Sequence, residues 1–136
     1  MEKENKRLKV LAVDDNKAIL MINKEHLSAR FDVITKMNDK EAMLWMEAGN
    51  FPDIIVADME MNNDKEAGFK FLKNIRSSGY FSAIPVIILS GSEEAKDTPL
   101  RVKCLNEGAN AFMTKPFSPE ELEANITAIL RTAGKL

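Results

Sequence analysis

At 136 residues the chain has the length of one domain that can bury a full hydrophobic core. The net charge of -2, from 19 basic and 21 acidic residues, gives no electrostatic reason for direct binding to nucleic acid or to an anionic membrane, so we expect protein or small-molecule partners. A single cysteine, Cys104, excludes an internal disulfide. No apolar run approaches the roughly 20 residues of a membrane span, and we expect a soluble, cytoplasmic, single-domain protein.

Short apolar runs alternate along the chain with segments of helical periodicity. The runs predict strands at residues 8–13, 31–35, 53–58, 85–90 and 111–113. The segments between them predict helices at 17 to about 30, 38–49, about 66–77, 98–108 and from 118 onward. A hydrophilic loop at 91–97 follows the fourth strand. Five strands that alternate with five helices predict a doubly wound α/β domain with a parallel sheet.

Three of the predicted helices begin at recognisable capping residues. Asn38 is followed three residues later by Glu41, which resembles a capping box. Thr98 precedes a proline, and proline is favoured at the first helical position. Ser118 and Glu121 form a second capping box, with a proline between them. These signals fix where the second, fourth and fifth helices begin.

Polar residues stand at the carboxyl ends of four predicted strands. In chain order they are Asp14 and Asp15 after the first strand, Asp58 at the end of the third, Ser90 at the end of the fourth and Lys115 after the fifth. Right-handed crossovers make such strands parallel, and their carboxyl ends then meet at one edge of the sheet. That edge is where open α/β sheets bind ligands.

Three carboxylates at one edge repel one another unless a cation compensates them. Lys115 offers one positive charge, and Mg²⁺ is a suitable second because it accepts few carboxylates and keeps waters that a phosphate can replace. Such a site suits phosphoryl transfer, in which metal and lysine neutralise the phosphoryl oxygens and Ser90 donates a hydrogen bond. Asp58 is the best nucleophile candidate because it stands alone after a long buried strand, whereas Asp14 and Asp15 fit metal binding.

Each of these residues also has a purely structural interpretation when it is taken alone. Asp14 and Asp15 could cap a helix, and Asp58 could be a turn residue. Lys115 could be a solvated surface lysine. The joint arrival of the polar residues at consecutive strand ends favours the functional interpretation.

With these residues in place, the chain resembles the receiver domain of two-component response regulators over residues 8 to about 132. The resemblance implies a flavodoxin-like (βα)5 three-layer sandwich with strand order 2-1-3-4-5. It implies that Asp14 and Asp15 are the acidic pair that binds Mg²⁺ or Mn²⁺, with Asp15 the more direct ligand. Asp58 is implied to be the phosphoacceptor and a metal ligand, and the backbone carbonyl of Glu60 a further ligand.

The same resemblance implies a switch and its partners. Ser90 matches the switch hydroxyl, Phe112 the switch aromatic, and Lys115-Pro116 an element whose peptide bond is usually cis. A histidine kinase or histidine phosphotransfer protein would donate the phosphoryl group. A downstream protein would bind the face made by the fourth helix, fifth strand and fifth helix of a monomer or weak dimer. Catalysis would be limited to the domain's own phosphorylation and dephosphorylation.

Two other functions stay open at this stage. One is a protein-binding module of the same fold whose output does not depend on phosphate. The other is a Mg²⁺-dependent phosphatase with Asp58 as its nucleophile. The sequence disfavours the phosphatase, because Glu60 is only a loose substitute for the general acid usually found two residues on, and no cap domain is present.

The chain departs from the family pattern in two loops. After Asp58 the family usually carries Met-Pro, and here Met61 is kept while Asn62 replaces the proline. The segment to Gly68 and the connection that follows Ser90 are both longer than usual by a few residues. We expect these changes to leave the site intact and to alter the conformation of the bordering loops.

Overall fold

The computed structural model describes residues 7–91 and 99–136. The strands are β1 Lys9–Val13, β2 Asp32–Lys36, β3 Ile54–Asp58, β4 Val86–Ser90 and β5 Ala111–Thr114. The helices are α1 Lys17–Leu27, α2 Asp39–Glu47, α3 Ala67–Ser77, α4 Pro99–Asn106 and α5 Pro119–Thr132. Within these two ranges no helix combines the length and the apolar character that a membrane span requires.

All paired strands of the sheet are parallel, and their order is β2-β1-β3-β4-β5. The predicted doubly wound fold and its strand order are therefore confirmed. The pairing of β1 with β3 runs to Val13 opposite Ala57, so the next residues, Asp14 and Asp58, reach the same edge. On the other side of β4, Ser90 lies opposite Thr114, one residue before Lys115.

Both faces of the sheet are covered by helices, which explains why the central strands are unbroken apolar runs. All five residues of β3 and all five of β4 are buried. Alternate residues such as Leu11 and Ile55 pack on one face against α2, α3 and α4. Their neighbours, such as Val10 and Ile54, pack on the other face against α1 and α5. The domain thus has three layers with a core on each side of the sheet.

The capping residues act much as the sequence predicts. Asn38 Oδ1 accepts a hydrogen bond from the Glu41 N–H at 2.9 Å, although Glu41 Oε1 accepts from Met37 N–H rather than from Asn38. Ser118 Oγ accepts from Glu121 N–H at 3.1 Å, and Glu121 Oε1 accepts from Ser118 N–H at 2.8 Å, which completes a capping box. The start of α5, and with it the end of the preceding loop, is therefore held by local hydrogen bonds.

Helix and strand ends differ from the predicted ones by a few residues. The sequence predicts α1 to about Arg30, but the helix ends at Leu27, whose carbonyl accepts hydrogen bonds from Arg30 N–H and Phe31 N–H. This tight turn carries Phe31 into the core at the start of β2. Similarly, α4 ends at Asn106 rather than at Gly108, and β5 includes Thr114. The predicted Thr98 cap and residues 92–97 of the hydrophilic loop lie outside the described ranges.

Candidate functional site

The first carboxylates of the site follow β1 directly. Asp14 N–H continues the sheet by donating to the Lys36 carbonyl at 3.1 Å, and the Asp14 side chain is buried. One of its oxygens, Oδ1, accepts a hydrogen bond from Asn16 N–H at 2.9 Å. Asn16 in turn caps α1 by accepting from Ile19 N–H. The turn from β1 into α1 therefore orients Asp14, while the next residue, Asp15, is exposed.

Asp58 is the last residue of β3 and is only 6% exposed. The residue after it, Met59, donates its N–H to the Leu89 carbonyl at 2.7 Å and accepts from Gly68 N–H at 2.8 Å. A side chain on Gly68 would lie 2.7 Å from the Asp58 carbonyl oxygen, a distance that real contacts do not show. Glycine at this position thus lets the start of α3 pack directly on the strand end that presents Asp58.

Lys115 reaches the carboxylates from the far side of β4. Its N–H donates to the Ser90 carbonyl at 2.7 Å, which holds the segment after β5 beside the end of β4. Its Nζ lies 2.8 Å from Asp58 Oδ1 and 3.7 Å from Asp14 Oδ2. The lysine is only partly exposed, so both ion pairs are partly shielded from solvent. Ser90 itself is 3% exposed.

The three aspartates fit a hard divalent cation. One carboxylate oxygen from each of Asp14, Asp15 and Asp58 lies within 4.8 Å of the other two. The buried oxygens Asp14 Oδ2 and Asp58 Oδ1 face the Lys115 ammonium group, and each oxygen has more than one lone pair, so one ammonium group does not use all of their acceptor capacity. Buried carboxylate oxygens with unused acceptor capacity are the donor set that Mg²⁺ or Mn²⁺ takes. Glu60, expected to contribute its backbone carbonyl, lies two residues after Asp58 and is exposed.

The pKa of Asp58 is raised from 3.8 to about 6. Burial is the largest cause, the charges of Asp14 and Asp15 add to it, and Lys115 opposes it by stabilising the carboxylate. Burial alone would lower the pKa of Lys115, but its ion pairs with Asp58 and Asp14 outweigh burial and raise it. At neutral pH the site therefore contains an ionised Asp58 beside a protonated Lys115.

The loop after β3 forms a tight two-residue turn. Met61 and Asp64 exchange main-chain hydrogen bonds of 3.2 and 2.9 Å, and the residues between them, Asn62 and Asn63, have φ of 52° and 64°. Positive φ at both central positions is typical of a type I′ turn. Asn62 N–H donates to Asp15 Oδ2 at 3.0 Å.

This turn explains why asparagine stands where the family pattern has proline. Proline fixes φ near −65° and has no N–H, so it could neither adopt the conformation of Asn62 nor donate to Asp15. The contact between Asn62 and Asp15 was not predicted from the sequence. The Asn62-Asn63 pair was the available signal, because asparagine enters the left-handed region more readily than other non-glycine residues.

The remaining predicted site residues lie on or beside β5. Phe112 is opposite Ile88 in the sheet and packs, partly buried, against the core on the α2–α4 side. The Lys115–Pro116 peptide bond is cis. The structure therefore brings Asp14, Asp15, Asp58 and Lys115 into one cluster, with Ser90 at the neighbouring strand end and Phe112 along the adjacent strand.

The sequence of the domain matches the family model of the response regulator receiver domain over residues 10–127. The chain belongs to the receiver domain family of two-component systems. Receiver domains interact with histidine kinases and bind Mg²⁺ in an acidic pocket.

Similar sequences occur in longer receiver proteins. The chain is 36% identical to the probable transcriptional regulator ycf27 of Pyropia yezoensis over 134 residues, which are 98% of this chain and 51% of that protein. It is 36% identical to the alkaline phosphatase synthesis transcriptional regulatory protein PhoP of Bacillus subtilis over 124 residues, or 90% of this chain and 48% of the relative. The chain thus spans about half the length of these curated relatives.

Solved receiver structures share the fold. The chemotaxis response regulator CheY4 of Vibrio cholerae superposes with a TM-score of 0.77 at 28% identity, covering 91% of this chain and 99% of that one. The receiver domain of the Francisella response regulator 1452 superposes with a TM-score of 0.79 at 30% identity, covering 93% and 99%. The similarity therefore extends over nearly the whole of both receivers.

Proposed function

We propose that this chain is a phospho-accepting receiver in which Asp58 takes a phosphoryl group in the presence of Mg²⁺ or Mn²⁺. The observation that carries the proposal is the position of Asp58. It is a buried carboxylate with Lys115 Nζ at 2.8 Å and with the carboxylates of Asp14 and Asp15 close by. No core-packing requirement accounts for three acids and one lysine at one sheet edge, whereas transfer of a dianionic phosphoryl group does.

The donor is a histidine kinase or a histidine phosphotransfer protein. In the transfer, the bond between phosphorus and the donor's imidazole nitrogen breaks while a bond from an Asp58 carboxylate oxygen to phosphorus forms, and the imidazole nitrogen keeps the electron pair. The ionised state of Asp58 at neutral pH supplies this nucleophile. Hydrolysis later adds water to phosphorus and returns the carboxylate with release of inorganic phosphate.

Other residues neutralise and orient the phosphoryl group. Lys115 places a positive charge beside it, and the Ser90 hydroxyl donates a hydrogen bond to one of its oxygens. Asp14, Asp15 and the Glu60 carbonyl would hold the divalent cation. When bound, that cation neutralises charge on the phosphoryl oxygens. All of these groups act by positioning and electrostatics, which is how phosphoryl transfer is generally catalysed.

Phosphorylation would act on a partner through the face formed by α4, β5 and α5. Movement of Ser90 toward the phosphoryl group and inward rotation of Phe112 would stabilise one of two conformations of that face. The phosphoryl group biases the equilibrium only through contacts that differ between the two states. In this proposal the domain catalyses only its own phosphorylation and dephosphorylation, and its output is a contact with another protein.

The test is direct phosphorylation. Incubation with a small-molecule phosphodonor and Mg²⁺ should add one phosphoryl group to the intact mass of the wild type, and EDTA or Asp58→Asn should abolish it. Asp53→Asn is the matched control, since Asp53 lies just before the other end of the same strand, where Lys135 and Lys9 N–H hold it. Phosphorylation that persists in Asp58→Asn, or that needs no divalent cation, would contradict the proposal.

The same experiment separates the other two functions. A binding module that ignores phosphate would show no Mg²⁺-dependent mass change and no effect of beryllofluoride on amide spectra. A phosphatase would turn over a free phosphomonoester steadily and many times per molecule. We expect neither result.

A further inference from the structure

We infer that the main-chain N–H of Asn62 is a positioning group for the Asp15 carboxylate and thereby raises the affinity of the site for its divalent cation. The inference rests on the proposed function, because it concerns the same cation. It goes beyond that function in assigning a role to the loop after β3. In the family pattern this position is proline, which has no N–H to donate.

The three acids of the site are held in different ways. Asp14 is buried and anchored by Asn16 N–H, and Asp58 is buried and paired with Lys115. Asp15 is exposed, so packing does not restrict its side chain. An unrestrained carboxylate loses rotamer entropy when it binds a metal, and that loss weakens binding. The hydrogen bond of 3.0 Å from Asn62 N–H selects one orientation of Asp15 before the cation arrives.

The donor stands on a stiff support. Met61, at one side of the turn, is fully buried, and it exchanges two main-chain hydrogen bonds with Asp64. Asp64 Oδ1 accepts from Glu66 N–H at 2.9 Å, and Asp64 Oδ2 pairs with Lys70 on α3 at 2.9 Å. The turn is thus tied to the core on one side and to α3 on the other. A mobile donor would itself lose conformational entropy when the cation binds. A donor that is already fixed can therefore orient Asp15 without that additional cost.

The geometry also assigns the role to the main chain rather than to the asparagine side chain. The hydrogen bond uses the backbone nitrogen, and the side chain matters only by tolerating φ of 52°. Glycine tolerates that φ equally well and keeps the N–H. Proline loses both. The two substitutions therefore separate the proposed role from any function of the Asn62 amide group.

The test measures Mg²⁺ affinity by calorimetry and, separately, the urea midpoint of unfolding in EDTA. Four proteins are compared with the wild type: Asn62→Gly, Asn62→Pro, and two semisynthetic proteins in which a main-chain ester replaces the amide nitrogen of residue 62 or of residue 63. The ester at 62 removes the donor to Asp15 and also weakens the Met61 carbonyl as the acceptor from Asp64 N–H. The ester at 63 is its matched control, since it makes the same chemical change one residue along the turn.

We expect Asn62→Gly and the ester at 63 to bind Mg²⁺ with wild-type affinity. The ester at 62 and Asn62→Pro should bind about tenfold more weakly, the usual effect of removing a group that orients a metal ligand. Both esters should unfold cooperatively in urea in EDTA and be fully folded without urea, which shows that the loss of Mg²⁺ affinity is not unfolding. Equal Mg²⁺ affinity of the two esters would overturn the inference while leaving the proposed function intact. A wild type that binds no Mg²⁺ would overturn both.

Discussion

Lys115 Nζ lies 2.8 Å from Asp58 Oδ1, although their strands β5 and β3 are separated by β4. The contact is possible because Lys115 N–H is bonded to the carbonyl of Ser90, at the end of the intervening strand. The lysine side chain then crosses the end of β4 to reach the acids. This arrangement supplies fixed positive charge where a buried carboxylate needs it, and it makes the electrostatics of Asp58 depend on a residue 57 positions later in the chain.

Replacing Lys115 with Met should raise the pKa of Asp58 above its value of about 6. The lysine opposes the effect of burial by stabilising the ionised carboxylate, so its loss leaves burial and the charges of Asp14 and Asp15 unopposed. Carboxyl-carbon NMR titration in EDTA measures this pKa. Lys103→Met is the control, because Lys103 is partly exposed and pairs with Glu66 on α3's N-terminal side. An unchanged Asp58 pKa in Lys115→Met would show that the ion pair does not form in solution.

Lys115→Ala should fold but lose the coupling between Asp58 and the proposed output face formed by α4, β5 and α5. Beryllofluoride with Mg²⁺ should shift the amide resonances of α4, β5 and α5 in the wild type, and these shifts should be lost or strongly reduced in the variant. The reason is that the variant lacks the cation that pairs with Asp58 and that, in the proposed function, contacts the phosphoryl group. Far-UV circular dichroism checks the fold. Wild-type shifts in the variant would contradict the assigned role of Lys115.

Asp58→Asn should stabilise the metal-free protein above pH 6 and not below pH 4. The folded pKa of about 6 lies above the ordinary 3.8, so between these values the folded protein binds more protons than the unfolded chain. The free energy of unfolding therefore falls as the pH rises through this window, and the destabilisation caused by ionised Asp58 is fully present above pH 6. That pKa difference sets an upper limit of about 3 kcal/mol on the stabilisation that Asp58→Asn can produce at high pH.

Urea unfolding in EDTA at pH 4 and pH 7.5 measures this effect. The control is Glu25→Gln, which removes an exposed negative charge from α1 and should change stability little at either pH. A gain of equal size at both pH values in Asp58→Asn would point to packing rather than to the ionisation of Asp58.

Gly68→Ala should destabilise the protein by about 1–3 kcal/mol, the usual cost of overpacking. The added methyl group would lie 2.7 Å from the Asp58 carbonyl oxygen and 2.8 Å from Met59 Cα, so α3 or the end of β3 must move. Gly79→Ala is the matched control, since its methyl group meets no atom within 4 Å. The two thermal unfolding midpoints give the comparison, and equal midpoints would show that α3 leaves room for a methyl group beside the main chain of Asp58.

Arg76→Ala should destabilise the protein by about 1–3 kcal/mol, because it removes several hydrogen bonds and leaves the part-buried Ile84 carbonyl without this donor. From α3 the guanidinium donates to the carbonyls of Ser82, Ile84 and Gly108 and to Asn110 Oδ1. It thereby ties α3 to the loops that precede β4 and β5. Lys73→Ala, an exposed change on the same helix, should have little effect on the free energy of unfolding measured in urea. Similar free energies of unfolding for the two variants would show that the hydrogen bonds from Arg76 to these loops contribute little to stability.

Much of the fold could be predicted because its signals are local. Unbroken apolar runs predicted β3 and β4 as strands buried on both faces, and Ser118 with Glu121 predicted the start of α5. Helix ends were less predictable. α1 ends at Leu27 because Phe31 must turn into the core, and a helical spacing of apolar residues contains no information about that turn.

The contacts that join distant segments could not be predicted. His26 on α1 and Glu123 on α5 lie 2.8 Å apart, and Arg30 binds the same carboxylate, yet nothing in either helix indicates its partner. The hydrogen bond from Asn62 to Asp15 spans 47 positions and depends on two residues with positive φ. Such contacts follow from how the packed elements meet, which periodicity does not specify.

By itself the sequence determined which residues reach the carboxyl edge of the sheet, because strand ends are encoded locally and a parallel α/β sheet aligns them. That was enough to bring Asp14, Asp15, Asp58, Ser90 and Lys115 to one edge. Only the tertiary structure decided how these groups meet. Burial raises the pKa of Asp58, Lys115 reaches across β4, and a type I′ turn aims a main-chain donor at Asp15. These are consequences of long-range packing, in which desolvation and distance, rather than residue order, set the energies.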